Sequence, residues 1–114
     1  MAEFQTTSEG PVQILEISGR IEPGNGKQLS EALDALIQPG KPLKVLIDLE
    51  KLDYIASAGF RELFLFGKKL SREGGALAIS SLRGEVKRVF ELAGFATAYP
   101  VRETREAGLA HFGN

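Results

Sequence analysis

The run Leu43-Lys44-Val45-Leu46-Ile47-Asp48-Leu49 constrains this chain more than any other segment. Side chains alternate between the two faces of a strand, so a stretch that is aliphatic at nearly every position must be covered on both sides. Such strands belong to parallel sheets flanked by helices. The rest of the sequence supplies those helices. Leu29, Ala32, Leu33, Leu36 and Ile37 recur at helical spacing after Asn25, a suitable cap, while Lys27, Glu31 and Asp34 fall on the other side. Pro39-Gly40-Lys41-Pro42 ends that pattern. A second helix is expected from about Ala58 to Arg72, stopped by Gly74-Gly75. Glu85 to Leu92 reads as a third, with Val86, Val89, Phe90 and Ala93 on one face and Gly94 at its end. Thr104 caps a closing helix that reaches Phe112.

The remaining strands are shorter. Phe4–Ser8 and Val12–Ser18 flank the turn signal Glu9-Gly10-Pro11 and predict a hairpin, followed by a loop over Gly19–Gly24. Ala76–Ser80 is a further apolar strand, and Thr97–Val101 a last one, placed at an edge because Pro100 lacks an N–H. The order β-β-α-β-α-β-α-β-α predicts an α/β fold: a mixed, mostly parallel sheet of about five strands with about four helices, the hairpin supplying an antiparallel edge. With 114 residues and 43% of them hydrophobic, the chain forms one domain, 1–114, with a core that needs neither disulfide nor metal. An exposed edge hairpin permits self-association without requiring it.

Composition excludes several classes. A net charge of −1 gives no general attraction to nucleic acid or to an anionic membrane. There is no cysteine, which removes thiol catalysis and zinc–thiolate sites and fits a reducing, cytoplasmic setting. Met1–Thr7 shows no signal-peptide pattern, and no run reaches the roughly 18 apolar residues of a membrane span. His111 stands alone, without the paired-ligand spacings of a metal site, and no cofactor motif is present.

Ser57 is the residue on which function turns. It lies in Ile55-Ala56-Ser57-Ala58-Gly59-Phe60, where a helix begins. Three roles are open to it. As a hydrolase nucleophile it would need Gly-x-Ser-x-Gly and a histidine base; Ile55 replaces the first glycine, and no histidine is suitably placed. As a cap it would contribute about 0.5–2 kcal/mol and nothing more. As a phosphoacceptor it would present a phosphate to the free N–H groups of a helix start, among small neighbours that let a partner approach. Asp48, Glu50 and Asp53 precede it, either as acid–base candidates or, more simply, as charges on the rim of the sheet. Gly24-Asn25-Gly26-Lys27 lacks the arrangement of a phosphate loop.

Three segments carry a family resemblance. Gly19-Arg20-Ile21-Glu22 is similar to a Gly-x-hydrophobic-acidic turn after a second strand. Val45–Phe60 is similar to a strand followed by Asp, Leu and then Asp-Ser-Ser/Thr-Gly-hydrophobic. Val86-Lys87-Arg88-Val89-Phe90 with Gly94-Phe95 is similar to a Val-x-Arg-hydrophobic-hydrophobic helix and its end. Together, over about Val12 to Phe112, the chain resembles the STAS domain family, in particular the single-domain bacterial anti-sigma factor antagonists. The resemblance implies a non-enzymatic regulator. Its partner would be an anti-sigma factor that is also a serine kinase of the histidine-kinase-like ATPase type; phosphorylation of one serine would break the complex, and a phosphatase would restore it. Ser57 matches the phosphoacceptor. Glu22, Asn25, Ala56, Ala58, Gly59 and Phe60 are the expected partner-binding positions. Arg61 and Leu65 join them because Leu65 lies apolar within the basic side of the second helix, among Arg61, Lys68, Lys69 and Arg72. The chain departs from the pattern at Ala56, where the family carries aspartate, and at Ala58, where it carries serine or threonine. A STAS scaffold or sensor module that is not phosphorylated is the alternative, and a small serine hydrolase the remote one.

Overall fold

The computed structural model describes residues 2–113. Strand β1 (Ala2–Glu9) turns at Gly10, whose φ of 56° suits glycine, and pairs antiparallel with β2 (Val12–Ile21). A 3-10 turn over Pro23–Asn25 leads into α1 (Gly26–Asp34). Then follow β3 (Lys44–Asp48), β4 (Leu52–Ile55), α2 (Ser57–Arg72), β5 (Ala76–Ser80), α3 (Gly84–Leu92), β6 (Val101–Arg102) and α4 (Arg105–His111). The sheet has six strands in the order β1-β2-β3-β5-β6, with β4 beside β2. All pairings but β1–β2 are parallel, so the mixed, mostly parallel sheet expected from the sequence is observed.

The aliphatic run behaves as its composition requires. Val45 and Ile47 point into the larger core, with Leu15, Ile17, Leu77 and Ile79 and the buried faces of α1, α2 and α3. Leu46 points the other way, into a smaller cluster with Val12, Ile14 and Ala78 under Leu109 and Phe112 at the α4 end. A side chain on Gly108 of α4 would meet Leu46 Cδ1 at 2.6 Å, so this helix packs with its backbone against the sheet.

Four details differ from the sequence reading. The loop expected over Gly19–Gly24 begins only after Ile21, because β2 continues to pair with β4. That strand was hidden because its buried residues, Leu52 and Ile55, are three apart rather than two; the register shifts between Gly19 and Arg20, and alternation breaks there. The first helix stops at Asp34, and Leu36 and Ile37 reach the core from turns instead. The strand expected over Thr97–Val101 is only Val101–Arg102, although it does lie at the edge. Phe95–Thr97 winds into a 3-10 turn after Gly94 (φ 67°), which brings the rings of Phe95 and Tyr99 to 5.1 Å of each other inside an aromatic cluster.

Candidate functional site

Ser57 is the first residue of α2 and is exposed. It is not the cap. Ala56 holds that position, with extended backbone (φ −76°, ψ 159°) and no side chain able to accept an N–H. The first i→i−4 bond of the helix runs from Phe60 N–H to Ala56 C=O at 3.0 Å. The N–H groups ahead of it receive no side-chain cap and stay available. The Ser57 hydroxyl makes no hydrogen bond within the described residues.

The turn is held firmly from below. Ala56 N–H donates to Ile21 C=O at 2.8 Å, which ties the start of α2 to the end of β2. Gly59 is buried against the same strand: a Cβ there would overlap Ile21 Cγ2 and lie 3.2 Å from Ile55 Cγ1. Phe60 is turned inward, edge-to-face with Phe90 at 5.1 Å and Phe95 at 5.6 Å. Gly59 and Phe60 therefore position the turn, and Ala56, at 6% exposure, contributes mainly backbone.

The outward-facing residues are Ser57, Ala58, Arg61 and Leu65, all on α2, with Leu65 39% exposed. Glu22 and Asn25 join them from the 3-10 turn, which packs beside α2. Asn25 does not cap α1 with its side chain; its Oδ1 accepts from Glu22 N–H at 3.0 Å, and its Nδ2 donates to Gln28 at 3.2 Å. Further along the same stripe, Lys69 pairs with Asp34 of α1 at 2.9 Å. Sequence reading missed one exposed pair. Arg20 and Tyr54 are opposite each other on β2 and β4, and the guanidinium lies 4.6 Å from the ring centre. Arg20 also reaches Glu22 at 3.7 Å. Recognising that Leu52–Ile55 is a strand would have placed Tyr54 opposite Arg20.

Two of the carboxylates ahead of Ser57, Asp48 and Asp53, are held by arginines. Asp48 is 1% exposed; its Oδ2 accepts from Arg105 Nε at 2.6 Å and its Oδ1 from Glu50 N–H at 3.0 Å. Arg105 also reaches Glu16 at 2.8 Å, and the hydrogen bond to Asp48 raises its pKa further above the ordinary range. Asp53 pairs with Arg83 at 2.9 Å, and Arg83 also donates to Glu50 C=O. His111 lies on α4 beside Arg102 at 3.2 Å, a helix that packs on the opposite face of the sheet from α2. A cleft of about 610 Å3 opens at the ends of β3 and β5, lined by Asp48, Ser81, Arg83 and Arg105, and Ser57 is not part of it. Among the described residues, none of Asp48, Asp53 and His111 hydrogen-bonds the Ser57 hydroxyl. No helix among the described residues is long and apolar enough to cross a membrane.

Comparison with known proteins agrees with this fold. Candidate anti-sigma factor antagonist BtrV of Bordetella bronchiseptica is 38% identical over 96 residues, spanning 84% of this chain and 82% of the relative. The crystal structure of an anti-sigma factor antagonist from Mycobacterium paratuberculosis superposes with a TM-score of 0.87 at 22% identity, covering 100% of this chain and 96% of that one. The Bacillus cell fate determinant SpoIIAA in its phosphorylated form gives a TM-score of 0.73 at 15% identity, covering 96% and 99% of the two chains. The STAS domain pattern itself matches residues 3–108, from the first strand into the last helix, and by that match the chain belongs to the STAS domain family.

Proposed function

We propose that this protein is an anti-sigma factor antagonist that docks on an anti-sigma factor through the surface around Ser57, and that phosphorylation of Ser57 by a partner kinase releases it. The observation that carries the reading is the state of Ser57: exposed, without a hydrogen-bond partner, and followed by helix N–H groups that no side chain caps. A phosphate there carries nearly two negative charges and meets the positive end of a 16-residue helix. The same charge, placed inside a docking surface, has to be stripped of water for the complex to form, and this penalty excludes the modified form. The kinship with BtrV supports an anti-sigma factor as the partner class. The pairing of Asp48, Asp53 and His111 with arginines, away from the Ser57 hydroxyl, favours regulated binding over hydrolysis.

A pull-down against the cognate anti-sigma factor tests the reading. Wild type and Ser57→Ala should bind, whereas Ser57→Asp should lose at least about tenfold in affinity, the equivalent of 1.4 kcal/mol. Incubation with the partner kinase and ATP, followed by mass mapping, should place phosphate on Ser57; phosphate elsewhere would defeat the proposal. The substitution of the family's aspartate by Ala56 and of its serine or threonine by Ala58 favours a second reading, a binding module that is never phosphorylated. Undiminished binding by Ser57→Asp, with no phosphate transferred, would establish it.

A further inference from the structure

Arg61 stands four residues after Ser57 on α2, a spacing that places the two side chains on one face of the helix, one turn apart. Both are exposed. Several other charges are already engaged. Arg20 stacks on Tyr54 and pairs with Glu22, Asp53 pairs with Arg83, Lys69 pairs with Asp34, and Lys68 lies over the Phe64 ring. Among the described residues Arg61 has no hydrogen bond, ion pair or ring contact. An acidic group N-terminal to a basic one at this spacing is the favourable order, because it also agrees with the direction of the helix dipole.

Building on the reading of Ser57 as a phosphoacceptor, we infer that Arg61 is the phosphate's partner within this chain, so that modification withdraws Arg61 from the docking surface at the same moment as it adds charge there. The arginine fork matches phosphate oxygens in geometry and keeps its charge at all working pH values. The unmodified surface thus offers a neutral hydroxyl and a free cation. The modified surface offers a phosphate whose nearest cation is bent back along the helix. A partner carboxylate that pairs with Arg61 loses its counter-charge and faces the phosphate instead.

The test needs no kinase. Phosphoserine is incorporated at position 57 by genetic encoding, in the otherwise wild-type chain and in the Arg61→Gln and Arg61→Lys variants, and the phosphorus NMR shift is followed from pH 4 to 8. With Arg61 present, the second phosphate ionisation should fall a few tenths of a pH unit below that in Arg61→Gln, with the gap narrowing at 1 M salt. Arg61→Lys should recover part of it, which a merely structural effect would not. Equal titrations in wild type and Arg61→Gln would overturn the inference. Because the phosphate is installed directly, this outcome is separate from failure of the kinase experiment, which would instead remove the reading of Ser57 as a natural phosphoacceptor.

Discussion

At position 59 the chain has no room for a side chain, because Ile21 of β2 lies directly beneath the first turn of α2. Gly59→Ala forces a methyl group against a branched side chain that is itself fully buried, and overpacking of this kind costs about 1–3 kcal/mol. The expected result is a lower urea midpoint with an unchanged slope, together with weakened partner binding as the turn carrying Ser57 is pushed outward. Tyr99 makes a different prediction. Its hydroxyl donates to Phe64 C=O at 3.0 Å, and its ring fills the space that the missing side chain of Gly67 leaves open. Burial raises its phenol pKa above the usual value near 10. The folded state therefore holds this proton more tightly than the unfolded chain does. The associated stability is complete below about pH 10 and declines as the pH rises from there through the folded-state value. Tyr99→Phe should cost about 1 kcal/mol near neutrality, from the lost hydrogen bond, and should show a shallower alkaline decline than wild type when unfolding midpoints are compared from pH 8 to 11.

Among the elements, α4 is fastened at its first turn by one arginine. It is a seven-residue helix, too short to persist alone, and Arg105 fastens its first turn to Asp48 and Glu16. Arg105→Ala leaves a buried carboxylate with one N–H for company, and a loss of about 2–3 kcal/mol is expected. Hydrogen exchange should show residues 105–111 opening before the rest of the sheet. The sequence made this helix legible through Thr104, whose Oγ1 indeed accepts from Ala107 N–H at 3.0 Å. It did not reveal the arginine, because Glu16, Asp48 and Arg105 are brought together only by the parallel register that sets Glu16 opposite Asp48. The same division runs through the chain. Local signals, namely the aliphatic run, the helical spacing and the glycine stops, identified the three larger helices and four of the strands close to where they lie. What they missed depends on contacts distant in sequence: β4, whose alternation is broken by a register shift, and the turn over Phe95–Thr97, where ring packing overrides an extended pattern. Around Ser57, the motif identified the exposed serine, but capping geometry shows that Ala56, one residue earlier, occupies the N-cap. Phe66 of α2, 1% exposed, belongs to the larger core.

On the scale of the whole molecule, the sheet separates two tasks. The larger core and the Ser57 surface lie with α1, α2 and α3, while α4 covers the other face. Substitutions on opposite faces should act independently. Leu65→Asp, on the side proposed for docking, should lower affinity for the proposed anti-sigma factor partner by about tenfold or more while leaving the melting temperature nearly unchanged. Arg105→Ala should do the reverse, lowering the melting temperature while leaving affinity within about twofold at temperatures where the variant is folded. Calorimetric titration and thermal unfolding of both variants check the pair; a shared loss of affinity would mean that the two faces communicate. The placement of Arg20 over Tyr54 has one more consequence. The chain contains no tryptophan and two tyrosines, so emission excited beyond phenylalanine absorption comes from Tyr54 and Tyr99. One stands at the rim beneath a guanidinium, and the other is bonded to a backbone carbonyl among phenylalanine rings. The protein thus carries two tyrosine fluorophores in unlike settings, one open to its surface and one that reports the integrity of its interior.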